Sequence, residues 1–483
     1  METLNFIDGR WQAARDGRQF EVRNPADDSL IVQIADGGAA DARLAADAAA
    51  QALAAWKART PRERCLVLKK WQALIERDVE PLARLISREQ GKPLAEARGE
   101  IAYSAGYVEW FAEEGVRAYG EVIAAPASSK RLIVVKEAVG VVAVVTPWNF
   151  PAAMIARKIA PALATGCTVV AKPAEDTPLT SLALVKLAEE AGVPAGVLNI
   201  VAASRERTPE VVGEWLGDAR VRKISFTGST PVGKQLARES AATLKKLSLE
   251  LGGNAPFIVF EDADLNAAVE GLMAAKFRNG GQTCVSPNRV FVHAAVHDRF
   301  VDKLAARVGA LRVGPAEWEL AEVGPMINAR AVDKIERHVT DAVAKGAKVV
   351  VGGSRVRNAV AAGPNYYAPT VLTGATREMA LASEETFGPV VPVFRFSSEE
   401  EVIAQANDTP YGLAGYFYSN DLRRVWRVAA ALETGMVGIN EGVITAQAAP
   451  FGGVKESGYG REGSHWGLDE YLHTKYLCQG NLS

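Results

Sequence analysis

One cysteine of this chain has the sequence surroundings of a nucleophile. Cys284 ends the run FRNGGQTC at 277–284, and two glycines before a thiol let substrate and backbone approach it closely. The other cysteines are Cys65, Cys167 and Cys478, and no CxxC spacing occurs, so the sequence predicts neither a disulfide scaffold nor a thiolate metal site. Because a free cysteine is most often buried and inert, the remaining residues must decide whether Cys284 is functional.

Two further residues are of types suited to covalent catalysis. Glu250 stands between Leu249 and Leu251, where desolvation is expected to raise its pKa and make it a general base near neutral pH. The alternative for Glu250 is a structural acid that caps a helix or pairs with a cation. Asn149 follows a proline and a tryptophan at the end of a predicted strand, where its amide could donate to a developing oxyanion. Taken alone, Asn149 also fits an ordinary turn asparagine.

A third group of residues is suited to a dinucleotide. The turn at 228–233 follows a predicted strand and opens a helix, so its backbone N–H groups could bind a pyrophosphate. Its GxxxxG spacing differs from the GxGxxG fingerprint, which leaves an ordinary tight turn as the alternative. Lys172 and Glu175 follow another strand, and a carboxylate there can bind both hydroxyls of a ribose and would repel a 2′-phosphate. Glu175 therefore favours NAD over NADP, whereas the alternative for this pair is a solvated ion pair.

These residues lie at the ends of alternating strands and helices. Buried parallel strands, each followed by a helix, are predicted in the first half at 141–145, 168–171, 196–201 and 223–226. The second half is predicted to form a separate core, with helices at 329–344 and 399–406 and strands at 348–351 and 414–418. Helices of roughly 10 to 15 residues between strands imply right-handed crossovers and a doubly wound sheet.

Two parts of the chain differ from this alternation. The first 110 residues are predicted to be mostly helical, and 61–76 and 80–90 are the clearest helices. Segment 120–137 and the tail after about 465 fit neither core and contain strand-like stretches such as 131–135. Such excursions are expected to pair with another subunit.

The overall composition is that of an ordinary globular protein. A chain of 483 residues exceeds the size of a single core, so two or three domains are expected. The 55 basic and 57 acidic residues give a net charge of −2, which favours neither a nucleic-acid nor a membrane partner. The first residues include an acid and no apolar core, and no run approaches 18 apolar residues. We therefore expect no secretory signal and a cytoplasmic location.

All of these clusters, in this order, resemble the aldehyde dehydrogenase superfamily. The matching motifs extend over essentially the whole chain and are PWNFP at 147–151, KPAE at 172–175, FTGS at 226–229, LELGG at 249–253, GQTC at 281–284, EETFGP at 384–389 and PFGG at 450–453. The resemblance implies an α/β fold with three parts. A Rossmann-type NAD-binding domain would comprise 1–118 and 138–249, an α/β catalytic domain 250–450, and a small β oligomerisation domain 119–137 and 465–483.

The resemblance also assigns roles to individual residues. Cys284 would be the nucleophile, Glu250 the general base, and Asn149, with the backbone N–H of Cys284, the oxyanion hole. Lys158 would belong to the catalytic neighbourhood. The residues expected to bind NAD, with NADP less favoured, are Lys172 and Glu175 at the adenosine ribose, Trp148, Gly228 and Ser229 near the pyrophosphate, and Glu385 and Phe387 at the nicotinamide riboside.

The family's chemistry would convert an aldehyde to a carboxylic acid in two stages. Attack by Cys284 forms a thiohemiacetal, and hydride transfer to NAD leaves a thioester. Water that is deprotonated by Glu250 then hydrolyses the thioester. A free thiol has a pKa of about 8.5 and is a few per cent ionised at neutral pH, so Cys284 requires activation.

Four further motifs are MIARK at 154–158, KFRN at 276–279, GLAGYFY at 412–418 and GREGS at 460–464. In these motifs the chain most resembles, within the superfamily, the succinate-semialdehyde dehydrogenases. In that group the arginines that match Arg157 and Arg278 bind the remote carboxylate of the substrate, and guanidinium groups suit carboxylates. The alternative for both arginines is a structural ion pair. Thr445 replaces a serine that helps hold the carboxylate in some members, which could change the preferred chain length. Ser286 replaces a second cysteine of some members, so no redox-switching disulfide with Cys284 is expected.

Several alternatives stay open at this stage. The substrate could be glutarate or 2-oxoglutarate semialdehyde, or the enzyme could accept many aldehydes. Transfer of the acyl group to coenzyme A is disfavoured by Glu250, and a non-catalytic descendant would be expected to have lost Cys284, Glu250 or Asn149. The tail at 471–477 resembles the family's oligomerisation strand, so a homodimer or homotetramer is expected.

Overall fold

A computed structural model describes residues 1–358 and 360–481. Position 359 of the predicted catalytic segment 250–450 and the last two positions of the predicted segment 465–483 lie outside the described residues. Within the described ranges, we find no helix that is both long and apolar enough to span a membrane.

The described residues form strands and helices from one end of the chain to the other. The strands, in chain order, are β1 (Asn5–Ile7), β2 (Arg10–Gln12), β3 (Gln19–Arg23), β4 (Leu30–Ala35), β5 (Glu121–Ile123), β6 (Arg131–Ala138), β7 (Val141–Val145), β8 (Thr168–Lys172), β9 (Leu198–Ile200), β10 (Val221–Thr227), β11 (Lys246–Glu250), β12 (Ala255–Val259), β13 (Pro287–His293), β14 (Lys348–Val351), β15 (Thr370–Thr373), β16 (Val390–Phe396), β17 (Tyr411–Gly412), β18 (Ala414–Tyr418), β19 (Met436–Ile439), β20 (Val454–Lys455), β21 (Gly458–Tyr459) and β22 (Leu472–Gln479).

The α-helices are α1 (Ala39–Ala58), α2 (Pro61–Arg77), α3 (Val79–Gln90), α4 (Leu94–Glu114), α5 (Pro151–Thr165), α6 (Pro178–Glu190), α7 (Thr208–Gly217), α8 (Thr230–Ser240), α9 (Leu265–Phe277), α10 (His297–Gly309), α11 (Ala329–Ala344), α12 (Ala380–Ser383), α13 (Glu399–Asn407), α14 (Leu422–Ala431) and α15 (Ser464–Asp469). Short 3₁₀ helices lie at Gly115–Arg117, Ala241–Thr243 and Arg278–Gly281.

The first large sheet has the strand order β2-β1-β9-β8-β7-β10-β11-β21. Its central strands from β9 to β11 are parallel, and antiparallel strands flank them on both sides. The chain proceeds outward from β7 through β8 to β9 and then places β10 on the other side of β7. The strand order therefore reverses between β7 and β10. In open α/β sheets, ligands bind at the carboxyl ends of the strands on either side of such a reversal.

Alternate residues of the central strand β7 face two different cores. Val142 and Val144 pack into a core formed mainly with α2 to α6. Val141, Ala143 and Val145 pack into another core, formed with residues of α1 and α7. All five residues are buried, which explains the uninterrupted apolar run that the sequence shows at this strand.

The second large sheet has the order β14-β15-β16-β13-β12-β18-β19, and its strands are parallel except for β14. Helices cover both faces here as well. Phe257 and Val259 of β12 pack against α9 and α10, whereas Ile258 packs with residues of α11, α13 and α14. The loop that carries Cys284 leads directly into β13, so the nucleophile candidate lies at the amino ends of this sheet's strands.

A small antiparallel sheet combines the two segments that fit neither core. Its order is β22-β6-β5, and β22 pairs with β6 along its whole length, from Leu472 opposite Ala138 to Gln479 opposite Arg131. The strand predicted at 131–135 is thus confirmed and extends to Ala138. Most residues of β22 and all of β5 are exposed.

The predicted α/β fold class is confirmed, and several predicted elements have the observed bounds. These elements are β7, α11, β14 and β18. The short strands β1 to β4 were not predicted in the largely helical first 110 residues. They are three to six residues long, and β1 and β2 only extend the edge of a sheet formed by later residues. β1 therefore depends on β9, a partner distant in sequence, whereas β3 and β4 pair only with each other.

Candidate functional site

Cys284 follows a loop with an unusual backbone conformation, which two glycines make possible. Asn279, Gly280 and Gly281 all have positive φ, at 51°, 62° and 78°. A Cβ atom on Gly281 would lie 2.3 Å from the carbonyl oxygen of Gly388. The two glycines before the thiol therefore permit a left-handed turn and a close backbone approach. This turn places Cys284 between the two large sheets.

Cys284 and Asn149 line two cavities at once. The first, the aldehyde cavity, has an empty volume of about 590 Å³, and the second, the cofactor cavity, has about 1140 Å³. The cofactor cavity opens at the carboxyl ends of β7 and β10, where the strand order of the first sheet reverses. The two cavities therefore meet at the thiol.

The Cys284 thiol is partly exposed to these cavities, but the surrounding protein suppresses its ionisation. Desolvation raises the pKa of Cys284 to about 12, whereas the positive charge of Arg157 and a hydrogen bond from the thiol's own backbone N–H act in the opposite direction. The thiol is consequently neutral at physiological pH and requires a base or an additional positive charge before it can attack.

The side chain of Asn149 points towards the loop that carries Cys284. Its Nδ2 donates to the carbonyl oxygen of Gln282 at 3.0 Å, which fixes one amide hydrogen next to the nucleophile loop. The second hydrogen of the amide is free for an acceptor in the cavities, because an asparagine amide carries two. This geometry suits the donor role that the sequence predicts.

Glu250 lies behind the nucleophile and lines neither cavity. Its side chain is buried, and Oε2 has no hydrogen-bond partner. Desolvation raises the pKa of Glu250 well above its usual range, and the nearby carboxylate of Glu462 raises it further, although Arg157 and Lys158 oppose both effects. The raised pKa of this carboxyl group is the direction expected of a general base.

Glu462 is a central residue of the site that the sequence analysis did not identify. Its buried carboxylate contacts the guanidinium of Arg157 and the ammonium of Lys158. Lys158 lines neither cavity and is fully buried, and desolvation lowers its pKa. Lys158, which the sequence analysis assigned to the catalytic neighbourhood, thus belongs to a buried ion cluster with Glu462 and Arg157, and Arg157 lines the aldehyde cavity.

The two predicted carboxylate-binding arginines both line the aldehyde cavity but differ in their partners. Arg157 is fully buried against Glu462, its guanidinium lies 4.6 Å from the ring centroid of Phe451, and its Nη2 has no partner. Arg278 lies over Phe150 at 4.9 Å, and among the described residues it forms no ion pair. Among the described residues, no carboxylate lies within salt-bridge distance of Arg278, although the buried carboxylate of Glu96 interacts with its charge at longer range. The guanidinium of Arg278 is therefore free to form a direct contact with a substrate carboxylate. Thr445 also lines this cavity.

The cofactor cavity contains five of the residues predicted to bind NAD, namely Trp148, Gly228, Ser229, Glu385 and Phe387. Phe387 has a positive φ of 57°, and its ring meets Trp148 edge to face at 5.6 Å. Ser229 immediately precedes α8, whose first N–H groups and positive end open onto the cavity. Glu385 accepts a hydrogen bond from the N–H of Gly253 at 3.1 Å, and desolvation raises its pKa to about 7.

Lys172 and Glu175 are close together but not in the cofactor cavity itself. Lys172 donates to Glu175 at 2.9 Å, and Glu175 lines a neighbouring cavity that shares Arg205 with the cofactor cavity. Arg205 also pairs with Glu175, at 3.1 Å. Burial favours the neutral form of Glu175, but Lys172 and Arg205 outweigh this and lower its pKa.

Sequence reasoning missed several lining residues for a common reason. Tyr103, Met154 and Tyr416 line the aldehyde cavity, and Arg205, Asn328, Arg330 and Lys334 line the cofactor cavity. Most of these residues lie on helices or loops without a distinctive motif, so only the packing of distant elements brings them together. Phe451 belongs to the motif at 450–453 that was matched, but the motif alone assigned it no role.

Comparison with known proteins decides the family. The model of the aldehyde dehydrogenase family matches residues 11–477. The chain belongs to the aldehyde dehydrogenase family. As the resemblance of its motifs predicts, this aldehyde dehydrogenase is similar to curated relatives over nearly its whole length. It is 54% identical to a glutarate-semialdehyde dehydrogenase of Pseudomonas putida, over 98% of this chain and 97% of the relative.

Two further matches give the same result. The chain is 52% identical to the NADP(+) succinate-semialdehyde dehydrogenase of Escherichia coli, over 98% of this chain and 97% of that protein. A crystal structure of succinate-semialdehyde dehydrogenase from Burkholderia pseudomallei superposes with a TM-score of 0.96 at 55% identity, over 98% of this chain and 97% of that one. These values confirm the predicted fold and family.

Proposed function

We propose that the protein oxidises a short aldehyde with a remote carboxylate, succinate semialdehyde first and glutarate semialdehyde second, to the dicarboxylic acid. The observation that carries this proposal is the aldehyde cavity, in which, among the described residues, Arg278 forms no direct salt bridge and Nη2 of Arg157 has no hydrogen-bond partner. Guanidinium groups bind carboxylates through charge-assisted hydrogen bonds. The similar identities to succinate- and glutarate-semialdehyde dehydrogenases support the class but do not separate the two substrates.

In the proposed mechanism, Sγ of Cys284 bonds to the aldehyde carbon, and the carbonyl oxygen becomes an oxyanion that Asn149 stabilises. The thiol proton passes to Glu250, directly or through water. Glu250 lines neither cavity, but its charge already acts on the Cys284 thiol. Arg278 holds the far end of the substrate. The residues thus position the substrate carbon next to the cofactor cavity.

The cofactor cavity fits a nicotinamide dinucleotide. The turn before α8 can bind the pyrophosphate through backbone N–H groups, and a Cβ on Gly228 would lie 2.4 Å from the ring of Phe226, so this turn requires glycine. Glu385 and Phe387 would hold the nicotinamide riboside, and Lys172 and Glu175 the adenosine ribose. The chemistry that the nicotinamide supplies when bound is acceptance of the hydride from the substrate carbon.

We infer that NAD is preferred over NADP. The carboxylate of Glu175 is ionised and would repel a 2′-phosphate. Arg205 beside it supplies a positive charge, but this charge is already paired with Glu175. One similar relative carries NADP(+) in its name, so the preference requires a direct measurement.

Glu250 supports hydrolysis as the second stage. Once the thioester has formed, an ionised Glu250 can remove a proton from water, and hydroxide displaces the thiolate of Cys284 to give the carboxylic acid. Transfer to coenzyme A would need no such base. Formation of NADH at an undiminished rate without coenzyme A is therefore expected.

The small sheet supports an assembly of more than one subunit, as a homodimer or homotetramer. Tyr119, Val122 and Tyr476 expose 71%, 74% and 56% of their surface on or beside β5 and β22. Exposed apolar side chains along unpaired strand edges are typical of interfaces. The cytoplasmic location remains a prediction from the sequence.

The proposal is tested by initial rates on succinate, glutarate and 2-oxoglutarate semialdehydes and on butanal, each with NAD and with NADP. Carboxylated aldehydes are expected to exceed butanal in kcat/KM, because butanal has no charge for Arg278. Equal kcat/KM values on butanal and on the acid aldehydes would exclude carboxylate recognition.

A further inference from the structure

The backbone of Asn149 is held as firmly as its side chain. Its carbonyl oxygen accepts a hydrogen bond from Nζ of Lys92 at 3.0 Å and another from Nδ2 of Asn279 at 2.9 Å. A carbonyl oxygen has two lone pairs, so both are used. Lys92 lies just before α4, and this helix does not follow any of the strands whose ends form the site.

Lys92 is itself fixed from several sides. Its side chain is fully buried, its ammonium pairs with Glu100, and Nζ lies 3.9 Å from the ring centroid of Phe150. Glu100 also accepts the backbone N–H of Ala152 at 2.9 Å, in the first turn of α5. Lys92 and Glu100 therefore hold the chain on both sides of the short turn that presents Asn149.

This contact distinguishes Lys92 from another fully buried lysine of the same chain. Nζ of Lys223 interacts with the side chains of Ser248 and Glu470, and none of its hydrogen bonds reaches Asn149 or Cys284. A buried lysine in an ion pair therefore does not necessarily contact the residues of the site. The link through the Asn149 carbonyl is particular to Lys92.

We propose that Lys92 is a positioning residue of the oxyanion site. It lines neither cavity, and it acts by fixing the backbone of Asn149 so that the amide points at the oxyanion. Donors of this kind work only within a few tenths of an ångström of the required position, and a displacement of about 1 Å can reduce the rate about 100-fold. This inference rests on the proposed aldehyde oxidation, in which Asn149 is the donor.

The test variant must remove the ammonium without leaving a buried charge. Lys92→Met alone would leave Glu100 unpaired and destabilise the protein. The double variant Lys92→Met/Glu100→Gln removes both charges, and the glutamine can still accept the N–H of Ala152. We expect this variant to fold, to bind NAD with a Kd within about twofold of the parent, and to lose at least about tenfold in kcat.

A double-mutant cycle with Asn149→Ala separates positioning from general damage. In the Asn149→Ala background, the Lys92→Met/Glu100→Gln change should alter the remaining kcat by less than about twofold, because no amide is left to position. Lys223→Met is the matched control for loss of a buried lysine, and its effect on kcat should be the same in both backgrounds.

The possible outcomes are distinct. An equal loss of kcat with and without Asn149, or a kcat unchanged in the folded double variant, would overturn the role of Lys92. Failure of the proposed function itself would appear elsewhere, as NADH formation from aldehydes that persists in Cys284→Ala. If Lys92→Met/Glu100→Gln does not fold, Lys92→Gln/Glu100→Gln enters the same cycle, and it is judged by the same non-additivity.

Discussion

The two cavities that meet at Cys284 are built from different parts of the chain. The cofactor cavity includes backbone turns at strand ends, with the turn at Gly228, the start of α8 and Gly252. The aldehyde cavity is formed by side chains on helices and loops, including Phe150, Arg278 and Tyr416. A backbone position depends on the whole sheet, whereas a side chain can be replaced alone. Single substitutions should therefore change aldehyde preference more readily than dinucleotide binding.

The largest effect is expected at Cys284, one of the residues that line both cavities. Cys284→Ala should reduce NADH formation at least roughly 10⁴-fold, because the substitution removes the nucleophile. NAD binding should persist, since the turn at Gly228 is unchanged. Steady-state rates and fluorescence titration of NAD would measure the two properties. Loss of NAD binding together with activity would contradict the separation of the two cavities.

Glu250 lines neither cavity. Its substitution should therefore reduce the rate of the chemical steps without weakening the binding of the aldehyde or of NAD. Glu250→Gln should reduce steady-state turnover roughly 10²–10³-fold, because general bases contribute on this scale. The parent rate should increase as the pH rises through the raised pKa of Glu250, since the base works only when it is ionised. Stopped-flow kinetics at several pH values would test this, and a pH profile unchanged by Glu250→Gln would contradict the assignment.

The aldehyde cavity alone should respond to Arg278→Met. We expect kcat/KM for succinate semialdehyde to fall roughly 10- to 100-fold, which corresponds to the loss of one or two charge-assisted hydrogen bonds. Butanal should be oxidised as by the parent, because it has no carboxylate, and it serves as the control substrate. An equal loss on both aldehydes would mean that Arg278 is structural.

The cofactor side alone should respond to Glu175→Gln. The preference for NAD over NADP, as a ratio of kcat/KM values, should fall about tenfold, because the negative charge that repels a 2′-phosphate is removed. Glu206→Gln is a matched control, since Glu206 lines the same neighbouring cavity without pairing with Lys172. A similar change in both variants would point to net charge and not to the contact.

The smallest expected effect lies at Thr445 in the aldehyde cavity. Thr445→Ser removes one methyl group, which is worth about 0.8 kcal/mol or about a fourfold change. The ratio of kcat/KM for glutarate over succinate semialdehyde should increase by about that factor, because the cavity lengthens. Competition between the two aldehydes would measure the ratio, and a decrease would show that the methyl group contacts the longer chain.

Much of the site was predictable because its motifs are local. The glycines before Cys284, the proline and tryptophan before Asn149, and the turn at 228–233 each depend on a few consecutive residues. Their backbone conformations follow from residue type and from the end of the preceding strand. The sequence accordingly predicted the family, the α/β class and the bounds of strands such as β7 and β18.

The sequence by itself therefore determined the order of the strands and helices and the types of the reactive residues. Only the tertiary structure decided which charges meet. Lys158 and Glu462 are 304 positions apart, yet they form one buried cluster with Arg157, whereas Arg278 forms no salt bridge among the described residues. The tertiary structure also brought Lys92 to the carbonyl of Asn149. Local patterns encode conformation through short-range sterics and hydrogen bonds, but ion pairs across a core depend on how whole sheets and helices pack.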